Sequence, residues 1–64
     1  MKYCDQIKKI RQELLVTQEE LAAMLHVTFA TINRWERGHH EPGIRQRRKI
    51  KDFCKEKDID WEAE

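Results

Sequence analysis

The residues most suited to chemistry in this chain lie between Phe29 and Arg37. At helical spacing this segment has one apolar side and one side of small and hydrogen-bonding residues. The second side consists of Ala30, Asn33, Arg34 and Arg37. An arginine such as Arg34 can donate two hydrogen bonds to guanine O6 and N7, and Asn33 can pair with adenine or with a phosphate. The pattern therefore predicts a helix that lies in the major groove of DNA.

Apolar groups at the start of this helix could also contact bases. The methyl groups of Ala30 and Thr31 can lie against a thymine methyl. Phe29 has two interpretations, because an aromatic ring here can cover thymine methyls or pack back on Met24 and His26. The sequence leaves both open.

Two capped helices joined by a short turn must position these groups. Thr17 and Glu20 have the spacing of a capping box, which starts a helix at Gln18. Thr28 is placed to cap the next helix, and Gly38 suits the left-handed residue that follows a helix. This arrangement predicts a helix-turn-helix.

Apolar periodicity predicts a further helix on each side of this unit. The four helices are expected at about residues 4–14, 18–25, 29–37 and 44–57, and the tail 58–64 is expected to fold back with Ile59 and Trp61 over the core. The fold class is all-α, a compact bundle of four to five helices. A chain of 64 residues allows one domain, 1–64, with a small core.

The net charge of +1 hides an uneven distribution. Residues 33–51 carry seven Lys or Arg and two Asp or Glu, whereas residues 52–64 carry two and six. Such a basic block can attract phosphate although the total charge is near neutral. Arg45 and Arg48 lie in this block, and for them a phosphate contact and a merely solvated helix face are equally supported.

Other classes of function have little support. There is no nucleophile with a base, phosphate loop or paired carboxylates, so we expect neither an enzyme nor a cofactor or small-molecule ligand. Cys4 and Cys54 lack metal-binding spacing and are expected to be free thiols. His39 and His40 lack a third ligand, and the loop position favours a phosphate contact for His39. No apolar run could span a membrane and no signal sequence is evident, so a cytoplasmic location is expected.

Several segments together resemble the Xre family of phage Cro and repressor-type helix-turn-helix regulators. They are Ile7-Lys8-Lys9-Ile10-Arg11, Thr17-Gln18-Glu19-Glu20-Leu21-Ala22, Thr31-Ile32-Asn33-Arg34-Trp35-Glu36-Arg37-Gly38, and Pro42. The resemblance covers roughly residues 4–57. It implies a bundle of four or five helices and transcriptional regulation by binding to operator DNA, usually as a dimer.

The resemblance also implies roles for individual residues. Gln18 matches a phosphate contact at a helix N-terminus, and Arg11 and Glu36 match an internal ion pair. The positions implied in DNA binding by the resemblance and by the residues together are Gln18, Thr28, Phe29, Ala30, Thr31, Asn33, Arg34, Arg37, His39, Arg45 and Arg48.

The chain departs from the family at two positions. His26 replaces a glycine at a turn where a positive φ is common. Gly43 replaces a serine that caps the fourth helix, so a side-chain contact from that position is lost.

The expected partner is double-stranded DNA with a palindromic operator, bound by two copies of the chain as a transcriptional repressor. An alternative keeps the fold but makes it a protein-interaction module, such as an antitoxin or anti-repressor component. The apolar pair Phe29 and Ala30 favours this alternative, whereas Arg34 favours DNA.

Overall fold

The computed structural model describes residues 2–63 and contains four helices in that range. They are α1 (Tyr3–Leu14), α2 (Gln18–Leu25), α3 (Phe29–Glu36) and α4 (Ile44–Glu56). The all-α fold is confirmed. Each helix lies within one residue of its predicted bounds, with α1 beginning a residue earlier and α3 and α4 ending a residue earlier. Arg37 and Lys57 are C-caps and not the last helical residues.

All four helices end in the same way. The first residue after the helix or its C-cap has a positive φ, and the next backbone N–H reaches back to a carbonyl five residues earlier. The positive-φ residues are Leu15, His26, Gly38 and Asp58. The residues that follow three of them, Val16, Val27 and Ile59, return to the core. One motif thus ends each helix, and after α1, α2 and α4 it also turns the chain back to the core.

The core is one cluster formed by all four helices and the tail. Its buried members are Ile7, Ile10, Leu21, Ala22, Leu25, Ile32, Trp35, Ile50, Cys54 and Ile59. The helix-turn-helix pair α2 and α3 packs closely, and α1 lies against α3. The small side chain of Ala22 is buried in this cluster, as the close approach of α2 to α3 requires.

The tail does fold back over the core, as predicted from Ile59 and Trp61. Ile59 is buried and Trp61 packs against the core. The fully buried amide of Gln6 in α1 holds the tail, because it donates to the Asp60 carbonyl (3.0 Å) and accepts from the Glu62 N–H (2.8 Å). Lys9 and Glu62 add an ion pair, and their hydrogen bond raises the pKa of Lys9 and lowers that of Glu62.

Both cysteines are free thiols, as expected. Cys54 is buried, and burial raises the pKa of its thiol to about 11. None of the helices within residues 2–63 is long and apolar enough to cross a membrane.

Candidate nucleic-acid interface

The start of α2 is fixed by the predicted capping box. The Thr17 hydroxyl accepts from the Glu20 N–H (3.1 Å), and the Glu20 carboxylate accepts from the Thr17 N–H (2.9 Å). These two bonds occupy two backbone N–H groups and define Gln18 as the first helical residue. Gln18 therefore lies at the positive end of the α2 dipole, where an anion is favoured.

The turn between α2 and α3 is short, and its shape follows from the backbone of His26 and the cap formed by Thr28. His26 has φ 58°, so it occupies the left-handed conformation that favours glycine. Thr28 caps α3, because its hydroxyl accepts from the Thr31 N–H (3.2 Å). The hydroxyls of Thr28 and Thr31 also lie 2.9 Å apart as a hydrogen-bonded pair. The turn thus orients the first residues of α3 through Thr28.

Helix α3 has the two-sided character that the sequence predicts. Ile32, Trp35 and Glu36 are buried, and they attach the helix to the core. Its exposed residues are Phe29, Ala30 and Arg34, followed by the exposed C-cap Arg37. The face that could meet DNA is therefore exposed at both ends of the helix, at Phe29 and Ala30 and at Arg34 and Arg37.

Asn33 is the exception to the predicted outward set. It is half-buried, and its side-chain amide donates to the Gln18 amide oxygen at 3.3 Å. The reason is that α2 begins next to the middle of α3, so the two polar side chains meet. The bond occupies the Gln18 oxygen and leaves the NH₂ group of Gln18 as a donor. The hydrogen bond therefore places Gln18, the candidate for phosphate contact, beside Asn33 and the other candidates for base contact on α3.

Phe29 is 49% exposed, so its ring is not buried in the core. Met24, one of the two residues it was expected to pack against if it turned back, is also exposed. Phe29 and Ala30, which are adjacent and both exposed, form an apolar surface at the start of α3. That surface suits thymine methyls, and it also suits an apolar protein partner.

Arg11 and Glu36 form a two-point ion pair between α1 and α3. Arg11 Nε and Nη2 donate to the two Glu36 carboxylate oxygens at 2.6 and 2.9 Å. The Glu36 side chain is almost fully buried, whereas the Arg11 side chain is 29% exposed. The hydrogen bond with Glu36 raises the pKa of Arg11. The pair fixes the end of α3 against α1.

The loop 39–43 connects α3 to α4 and lies next to the exposed end of α3. His39 and His40 are exposed and Pro42 is buried. Gly43 is the N-cap of α4 in an extended conformation and has no side chain to offer. Within residues 2–63, no group of three or more His, Cys, Asp and Glu side chains could hold a metal ion.

The basic run at the start of α4 divides into two groups. Arg45, Arg48 and Lys51 are exposed. Arg47 instead donates to the loop, and Lys49 donates to the Leu25 carbonyl at the end of α2 (3.1 Å). Sequence reasoning missed these two internal roles, as it missed Gln6. The cations that remain available for phosphate include Arg45 and Arg48, the two selected from the sequence.

Among the comparisons with known proteins, the comparison with protein families agrees with this geometry. No curated protein and no solved structure matches the chain significantly. A family model described as Helix-turn-helix matches residues 7–61. The match includes the capped α2, the turn, α3 with its exposed face, and α4. The chain therefore belongs to the helix-turn-helix family of DNA-binding regulators, in its Xre type.

Proposed function

We propose that this chain binds double-stranded DNA in a sequence-specific way, with α3 in the major groove, and acts as a transcriptional repressor. The observation that carries the proposal is the exposed face of α3 with Gln18 hydrogen-bonded to its middle residue, Asn33. A helix that enters the groove there brings the N-terminus of α2 to the phosphate backbone.

The exposed side chains divide by chemistry into two sets. Arg34 suits a guanine edge, and Phe29, Ala30 and the Thr31 methyl suit thymine methyls, while Asn33 can add an adenine contact if its bond to Gln18 opens. The residues that suit phosphate are Gln18, Thr28, Arg37, His39, Arg45 and Arg48. The second set fixes the position of α3 on the duplex, and the first set selects the sequence.

Two copies of the chain are expected on one operator. Helix α3 has only eight residues, about 12 Å in length, and can contact only a few base pairs. Two copies related by a two-fold axis would contact two half-sites and multiply the discrimination between sequences. We therefore propose a palindromic operator bound by a homodimer, within the cytoplasm, with residues 1–64 as one DNA-binding domain.

The test uses Arg34→Ala on a duplex recovered by selection from random sequence. We expect the variant to lose about 1–3 kcal/mol of discrimination at one base position while its folded structure is unchanged. Competition binding against duplexes with each base changed in turn measures this loss. Lys55→Ala is the matched control, because it removes an exposed positive charge from the far half of α4.

Two other results would change the assignment. If Arg34→Ala weakens binding equally on all sequences, Arg34 contacts phosphate and does not select a base. If the unmodified chain binds no duplex, the exposed Phe29 and Ala30 favour the protein-interaction alternative.

A further inference from the structure

We propose that Arg47 is a positioning residue for the loop 39–43, and that it supports DNA binding without contacting DNA. The second part of this inference rests on the proposed function. Arg47 lies in the same basic run as Arg45 and Arg48, so its sequence context gives it the same role as theirs. Its contacts in the structure are different.

The first observation is that Arg47 bonds the loop at two points. Its Nε donates to the Pro42 carbonyl at 2.9 Å, and its Nη2 donates to the Glu41 carboxylate at 3.3 Å. The backbones of His40, Glu41 and Pro42 make no hydrogen bond to other backbone groups of residues 2–63. The Arg47 side chain therefore supplies order that the loop backbone lacks.

The second observation is that the Arg47 guanidinium is itself held in place. Its Cζ lies 4.9 Å from the centre of the Tyr3 ring, at cation–π distance. Tyr3 is buried, and its ring meets Trp61 edge-on with centroids 5.7 Å apart. A guanidinium fixed by an aromatic surface has little freedom to lose when it bonds the loop. The loop is thereby connected to the start of α1 and to the tail.

The third observation is the contrast with the neighbouring arginines. Arg45 and Arg48 are exposed and make no side-chain hydrogen bond or ion pair within residues 2–63. Arg47 is half-buried, and two of its donor atoms already have acceptors. Its charge is also partly balanced by Glu41. Arg47 is therefore poorly placed to neutralise a phosphate.

The loop carries His39 and leads directly into Gly43 and Arg45. A loop that moves freely would displace these groups from the end of α3, which is fixed by Glu36 and Arg11. The functional effect of Arg47 is thus to keep His39 and Arg45, the phosphate-binding candidates beside the loop, in one arrangement relative to α3.

The experiment compares Arg47→Lys and Arg47→Met with the unmodified chain and with Arg48→Met. Lysine keeps the positive charge but cannot make the planar two-point contact. We expect both Arg47 variants to weaken DNA binding by about tenfold on all sequences, because the loop must then be ordered when DNA binds. A tenfold loss corresponds to about 1.4 kcal/mol of binding free energy. The dependence of log K on log salt should keep its slope, whereas one lost phosphate contact lowers the slope by about 0.9. Arg48→Met provides a matched charge removal on the exposed side of the helix.

A second measurement follows the loop without DNA. Amide hydrogen exchange at His39, whose N–H donates to the Arg34 carbonyl (3.3 Å), should be faster in both Arg47 variants than in the unmodified chain and in Arg48→Met. This readout decides whether Arg47 holds the loop even if the unmodified chain binds no duplex, a result that would overturn the proposed function only.

Two results would overturn the inference. One is unchanged loop exchange in both Arg47 variants. The other is full DNA affinity of Arg47→Lys together with a loss of both affinity and salt dependence in Arg47→Met. A positive charge at position 47 would then be sufficient for DNA binding, without the two-point contact to the loop.

Discussion

At the scale of single residues, the left-handed backbone positions explain how the helices of so small a protein end sharply. Gly38 adopts φ 77° without a steric cost, but Leu15, His26 and Asp58 have positive φ with a side chain present. For such residues the Cβ crowds the following carbonyl, at a cost of roughly 1–2 kcal/mol. The return of Val16, Val27 and Ile59 to the core offsets this cost.

The turn between α2 and α3 gives a direct test of that cost. We expect His26→Gly to raise the free energy of unfolding by about 0.5–1 kcal/mol, because the steric cost removed exceeds the added entropy of the unfolded chain. Urea denaturation measures the change. His26→Ala is the control, since it also removes the exposed imidazole but keeps Cβ, and it should give no such gain. Equal stability of the two variants would show that the steric cost at His26 does not exceed the entropy cost of glycine.

At the scale of elements, the Arg11 and Glu36 pair fixes α3 to α1. Glu36 is buried and accepts both of its hydrogen bonds from one guanidinium. Such a pair contributes little net stability compared with apolar residues of similar size, but loss of one partner leaves a charge without its counterion. The two helices are therefore coupled through this pair.

A double-mutant cycle tests the coupling. We expect Glu36→Gln to lower the free energy of unfolding by about 2 kcal/mol, less than for a fully buried pair, because Arg11 is 29% exposed. The double change of Arg11→Met with Glu36→Leu should recover much of the stability that each of these changes loses alone. Thermal and urea denaturation of the two single variants and the double variant give the interaction energy. Losses that simply add would show that the pair does not couple α1 to α3.

The elements themselves could be predicted closely from the sequence. Thr17 with Glu20, Thr28, and Gly38 are local signals, and each one marks the helix end at which the structure has it. The ends at Leu15 and Asp58 carried no such signal, because a leucine or an aspartate in the left-handed conformation is selected by the packing that follows. Periodicity alone located those ends.

The contacts of polar side chains could not be predicted in the same way. Gln6 bonds residues more than fifty positions away, and Arg47 lies over Tyr3 from the other end of the chain. In a helical pattern both residues look like ordinary surface positions. The same limit applies to Asn33, whose bond to Gln18 depends on how α2 meets α3. Residue types were sufficient to predict which side chains could contact DNA. The hydrogen-bond partners of those side chains depend on tertiary packing and could not be predicted.

At the scale of the whole molecule, the charges are separated along the fold. The exposed arginines cluster at α3 and at the start of α4, whereas the second half of α4 and the tail carry Asp52, Glu56, Asp58, Asp60 and Glu62. The tail is held on α1 by Gln6 and by the pair of Lys9 with Glu62. This arrangement leaves the α3 face basic and keeps the acidic segment attached at the tail.

If the exposed face of α3 selects a DNA sequence, selection of bound sites from random duplex DNA should reveal that sequence. We expect one enriched sequence with two half-sites in inverted repeat, their centres one helical turn apart, about 34–36 Å, or a multiple of it. We also expect Arg34→Ala to relax the preference at one symmetry-related position in each half-site. A pool that shows no enrichment after the same rounds with the folded chain would contradict the claim.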